Sequence, residues 1–196
     1  MAARIKTLTP EEMTPEQRAI CEEVASGPRG KVPLPMVGWM RNPELARRVQ
    51  HLGALLRYDI TLEPRLVELA ILVCARHWTS HVQWKAHKAY GIRDGLDPKV
   101  VDAIAARRTP AFGDDEAGQL IYEFSYALLN TARVPDALYE RTVARFGERG
   151  IAELSTLLGY YCVASFTLNA FKLGLPEAVA PELEDPDFPD AAGTAA

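Results

Sequence analysis

Apolar residues recur along this chain at helical spacing, and the segments between them carry prolines, glycines and capping side chains. Thr14-Pro15-Glu16-Gln17 reads as an N-cap, a proline at the first helical position and a capping-box partner, predicting a helix to about Ser26. Gly27 to Gly38 is too rich in proline and glycine for a regular helix. Asn42-Pro43-Glu44 opens a helix on which Leu45, Val49, Leu52, Leu55 and Leu56 share a face. From Pro64 the pattern changes. Leu66, Leu69, Ala70, Val73, Cys74 and His77 form one stripe, and Val67, Ile71 and Leu72 fill the opposite face. A helix apolar nearly all round belongs at the centre of a bundle. Thr79 or Ser80 caps the next helix, which runs through Tyr90 to a stop at Gly91. Further helices are predicted from Leu96-Asp97-Pro98 to Arg107, from Asp114 to Ala132, from Pro135 to Phe146 and from Glu148 to about Lys172.

No segment shows the period of two that a half-buried strand requires. The expected fold is therefore all-α, a bundle of about seven or eight helices. Residues 1–41 form an N-terminal helix and Pro/Gly-rich loop, 42–176 a helical domain, and 177–196 an acidic, proline-broken tail. Segments 65–92 and 150–175 echo each other, each with Glu-Leu near its start and a central serine, Ser80 or Ser165. An internal repeat and a chance likeness of two buried helical segments both account for this.

At 196 residues the chain can bury a substantial core, and its net charge of −4 offers no basic footprint for nucleic acid. Apolar stretches are broken by charge, Gly or Pro before about 20 residues, so no membrane span is expected. The N-terminus lacks the apolar core of a secretion signal. Three scattered cysteines (Cys21, Cys74, Cys162) suit a reducing compartment, and a cytoplasmic location is the expectation.

Candidate chemistry gathers in one region. Glu68 stands in the all-apolar helix, where desolvation raises a carboxyl pKa toward neutrality and fits it for proton transfer; the other reading is a structural glutamate paired with an arginine or capping a neighbouring backbone. Ser80, Gln83, Trp84 and His87 share one face of the following helix, with Ser80 at the end that favours an anion. Taken singly, Ser80 also reads as a plain cap, Trp84 as core packing and His87 as an interior histidine. His77 and His81 have metal-ligand spacing, but a helix break near Thr79 separates them, and no metal is expected. There is no phosphate-binding glycine loop and no GxSxG elbow, so no cofactor is expected either. The stretch Lys31 to Val37 either covers a pocket or is a surface connector.

Three runs, Glu68-Leu69-Ala70-Ile71-Leu72, Ala75-Arg76-His77 and Ser80-His81-Val82-Gln83-Trp84-Lys85-Ala86-His87, together resemble the carboxymuconolactone decarboxylase family, which includes the alkyl hydroperoxidase D-like proteins. The resemblance spans roughly Asn42 to Pro176. It implies an all-α alkyl hydroperoxidase D-like bundle that assembles into trimers or hexamers. The hydroperoxidase branch uses a CxxC pair with an upstream glutamate and a downstream histidine. Glu68 and His87 match the relay, while Ser80 and Gln83 stand where the cysteines would be. Without those thiols the decarboxylase branch is the closer guide. It implies a cofactor-independent lyase acting on a small carboxylated lactone or related metabolite of aromatic-compound catabolism. In that reading His87 donates a proton or stabilises charge, Glu68 orients it or shuttles the proton, Ser80 and the helix N-terminus hold an oxyanion, and Arg76, His77, Gln83 and Trp84 contact the substrate. The alternatives are a peroxiredoxin-like activity and a helical binding or assembly protein without catalysis.

Overall fold

The computed structural model describes residues 3–184, so most of the expected acidic tail lies outside the described residues. Within them the chain forms eight α-helices and no strand. Helix α1 (Pro15–Ser26) starts on the expected capping box, with Thr14 and Gln17 exchanging side-chain and backbone hydrogen bonds. The Pro/Gly-rich segment stays irregular except for the single turn α2 (Met36–Trp39), and the Trp39 indole donates to Thr167 Oγ1 at 2.8 Å, tying the segment to the far end of the chain. Helix α3 (Pro43–Tyr58) is capped by Asn42.

Helix α4 (Pro64–His77) is the hub. Every residue from Leu66 to Arg76 is buried, and its neighbours include α3, α5 (His81–Arg93), α6 (Pro98–Ala105), α7 (Glu116–Thr131) and α8 (Asp136–Ala170). Its apolar circumference is thus explained by helices packed on several sides. Ile20, Met36 and Trp39 from the N-terminal region join the same core as α4, so residues before 42 are not a separate body.

One expectation is revised, and the structure bears on two readings left open. Helix α5 does not stop at Gly91 but continues to Arg93. Gly91 lies inside the helix at close quarters, where a Cβ would stand 3.5 Å from the Glu68 Cβ and 3.3 Å from the end of the Leu96 side chain. The echo between segments is not carried into geometry either. The first segment breaks at Thr79 (φ 45°) into the α4–α5 hairpin, whereas the second runs unbroken through Ser165 within α8. The start of the expected tail is packed: Leu183 is buried, and Arg76 donates to the Glu184 carbonyl at 2.9 Å.

Helix α8 changes direction at Gly147, whose φ of 71° and ψ of 168° lie outside helical space, so the expected division between Phe146 and Glu148 falls at that bend. An 18-residue window of α8 has mean hydropathy 1.3, long and apolar enough by composition to cross a membrane; half of that window is buried inside this bundle.

Candidate functional site

The α4–α5 hairpin turns at Trp78–Thr79, so residues on its two arms face each other. Glu68 and His87 meet this way: Glu68 Oε2 lies 2.6 Å from His87 Nδ1, and both side chains are less than a tenth exposed. The other Glu68 oxygen accepts from Arg57 Nη2 at 2.8 Å. Arg57, in the last turn of α3, lies 4.4 Å from the centre of the Tyr90 ring. The Tyr161 ring meets His87 edge-on at 5.0 Å.

This arrangement selects the His87 tautomer. A carboxylate paired with a guanidinium accepts from Nδ1–H, which leaves Nε2 as the imidazole's free lone pair. Burial pulls the His87 pKa below its ordinary value. The Glu68 bond and charge work the other way and recover only part of the shift, while the charges of Arg57 and Arg29 add to the lowering. His87 is therefore neutral in the resting protein near pH 7. Burial also raises the pKa values of Tyr160 and Tyr161, keeping both phenols protonated.

His87 and Arg57 line a cavity of about 280 Å³. Tyr90, Gln83, Val82 and Ala86 form its α5 wall, and Trp39, Tyr160, Tyr161, Ala164 and Leu168 line the far side. Lys31 to Pro35 complete it, so the Pro/Gly-rich segment is a wall of the pocket. Arg29 also lines the cavity. It lies against the Tyr160 hydroxyl, and its Nε and one Nη are buried without a hydrogen-bond partner. Gly53 of α3 makes room for this pair, because a Cβ there would overlap both the Tyr160 hydroxyl and the Arg29 guanidinium. Such a cavity, largely apolar with a few convergent donors, suits a small anionic molecule.

The structure brings together Glu68, His87 and Gln83 but not the remaining sequence candidates. The cavity face of α5 runs through Val82, Gln83, Ala86, His87 and Tyr90. Ser80 and Trp84 turn to other sides. Ser80 is 1% exposed with an unpartnered hydroxyl, but it does not line the cavity, which removes the expected oxyanion role. Trp84, also 1% exposed, is core packing. Arg76 is structural: it donates to the carbonyls of Ala105 and Glu184 and to Thr79 Oγ1. His77 packs edge-on against Trp78, outside the cavity. Gln83 is held by Ser165, which donates to its Oε1 at 2.8 Å. Sequence reasoning missed Arg57, Arg29, Tyr90 and Tyr161. The signal for Arg57 was an arginine placed directly after the apolar stripe of α3; Arg29 gave none.

These features define an all-α bundle that holds a buried carboxyl–imidazole pair beside a cavity. Scanned against protein-family models the chain matches none, and no curated protein matches it. Among solved structures it is similar to an uncharacterized peroxidase-related protein from Silicibacter sp. TM1040, with 16% sequence identity, a TM-score of 0.71, and coverage of 90% of this chain and 92% of that one. At that identity the likeness concerns the fold.

Proposed function

We propose that this protein is a cofactor-independent acid–base enzyme of the carboxymuconolactone decarboxylase type, acting on a small carboxylated lactone or related metabolite. The observation that carries this reading is the buried Arg57–Glu68–His87 chain, with His87 on the wall of the cavity. Arg29 binds the substrate's anionic group through its unpartnered donors, and the aromatic walls hold the ring. A bound anion raises the His87 pKa, so the imidazole takes up a proton at Nε2 as the substrate enters. Glu68, hydrogen-bonded at Nδ1, stabilises the imidazolium. Loss of CO₂ leaves a dienolate. His87 returns its proton to carbon, and the Tyr160 hydroxyl stabilises the oxyanion meanwhile. The net reaction exchanges a carboxylate and a proton for C–H and CO₂.

The same proposal includes self-assembly into a trimer or hexamer. Leu52 and Leu55 of α3 and Val163 and Phe166 of α8 are exposed apolar side chains, and Val49, Leu52, Gly159 and Val163 line a shallow apolar groove. A cytoplasmic role in aromatic-compound breakdown fits this chemistry.

The test is a spectrophotometric time course of 4-carboxymuconolactone loss with purified protein. The expected result is turnover that falls by roughly 10²–10⁴-fold in His87→Ala, the usual worth of a positioned acid–base group. No turnover above buffer, or an unimpaired His87→Ala, overturns the proposal.

A further inference from the structure

On the side of α4 facing α8, Cys74 Sγ lies 3.8 Å from Cys162 Sγ and 3.9 Å from the Leu158 carbonyl, one turn earlier on α8. The two cysteines are far apart in sequence and lie on different helices, so nothing in their spacing announces the pair. Neither lines the cavity that contains His87. Cys74 is fully buried, while Cys162 is partly exposed and accepts a hydrogen bond from the Trp78 indole N–H at 3.2 Å.

We propose that Cys74 and Cys162 form a peroxide-reactive dithiol, in which Cys162 is the attacking sulfur and Cys74 the resolving one. Three features assign the roles. Of the two, only Cys162 is partly exposed. Its sulfur receives two donors, the Cys74 thiol and the Trp78 indole, which lower its pKa to about 7 despite partial burial. Cys74, whose pKa is raised by that same bond and by burial, keeps its proton.

The chemistry balances with a hydroperoxide as oxidant. The Cys162 thiolate attacks one peroxide oxygen and the O–O bond breaks, giving the sulfenic acid and an alkoxide or hydroxide that takes the proton Cys162 released. Cys74 sulfur then displaces the sulfenic hydroxyl, which leaves as water with the Cys74 proton. Two thiols and one hydroperoxide become one disulfide, one alcohol or water, and one water. A disulfide needs sulfurs about 2.05 Å apart, so the pair must close by roughly 1.8 Å. Cys21 supplies an internal control. It lies on α1, next to Met13, and burial and the charge of Glu22 raise its pKa.

The experiment treats fully reduced, desalted protein with hydrogen peroxide or cumene hydroperoxide from equimolar to tenfold excess. Thiols are counted after denaturation, and intact mass and non-reduced peptide maps are recorded. The expected result is loss of two of the three thiols, a mass decrease of about 2 Da and a peptide joining Cys74 to Cys162. In Cys74→Ser the sulfenic acid persists on Cys162 and is trapped by dimedone. Three outcomes overturn the proposal: all thiols survive tenfold peroxide, Cys21 is consumed first, or Cys162 proceeds to sulfinic acid while Cys74 stays reduced in the wild-type chain. The wild-type map decides the matter even where Cys74→Ser fails to fold.

Discussion

Glu68→Gln keeps the shape of the side chain and removes a charge that two groups share. The carboxylate receives Arg57 at 2.8 Å and His87 at 2.6 Å, and the Glu68 and Arg57 side chains are 4% and 11% exposed. Two unit charges about 4 Å apart are worth about 4 kcal/mol at an effective dielectric constant near 20. Breaking a buried pair from one side costs about 3–5 kcal/mol, since the surviving charge stays buried. The two figures agree. At about 2–4 °C per kcal/mol for a chain of this size, the melting temperature should fall by roughly 6–20 °C. Thermal unfolding followed by circular dichroism near neutral pH measures this. The double variant Glu68→Leu/Arg57→Met removes both charges and orphans only His87 Nδ1, which costs about 1–3 kcal/mol. It should therefore be more stable than Glu68→Gln alone. A loss below about 1 kcal/mol in the single variant, or a double variant no better than the single one, would refute the reading of a desolvated carboxylate shared by two partners.

Because the folded-state pKa of His87 is depressed, the native protein binds fewer protons there than the unfolded chain. The stability this contributes is complete above the ordinary histidine value near 6.5 and is lost as pH falls below it. Urea unfolding of wild type and His87→Gln at several pH values should show their stability difference shrinking toward acid, and a constant difference would count against it. Arg29→Met should raise KM roughly 10–150-fold, the worth of about 1.5–3 kcal/mol for hydrogen bonds from a charged donor, with kcat less affected. Arg76→Met should lower the melting temperature while leaving KM unchanged, because Arg76 bonds the Ala105 and Glu184 carbonyls and Thr79 and does not line the cavity; equal KM effects at both positions would blur the distinction drawn between them. Light scattering coupled to gel filtration should give three or six times the 21.6 kDa chain mass, with Val163→Asp shifting it toward the monomer. A wild-type monomer at micromolar concentration would dismiss the assembly.

The helices were legible because their signals are local. Caps at Thr14, Asn42 and Asp97 and the break at Gly147 lie where the pattern of residues puts them. The face of α5 that lines the cavity was read less well, since helical spacing groups residues without saying which way the group points. Ser80 and Trp84 share a stripe with His87 on a helical wheel, yet the packing of α5 on α4 turns the cavity face toward Val82, Ala86 and Tyr90. Arg29 was beyond reach for another reason. It sits in an irregular segment whose path is set by Trp39 bonding Thr167 and by the open space at Gly53, both long-range facts.

Helix α4 shows where sequence and structure divide the work. Its apolar circumference predicts a central position, and against that background Glu68, Cys74 and Arg76 stand out as polar interruptions of a helix buried from Leu66 to Arg76. A polar or ionisable side chain in such a place requires a partner, and the sequence states that requirement without naming who meets it. The fold supplies three different answers: an imidazole and a guanidinium for Glu68, a second thiol for Cys74, and backbone carbonyls with Thr79 for Arg76. The imidazole beside Glu68 can change protonation state, and the thiol beside Cys74 can change oxidation state, under mild conditions. Chemistry is therefore expected at Glu68 and Cys74, and at Arg76 only support for the end of the hairpin that holds them in place.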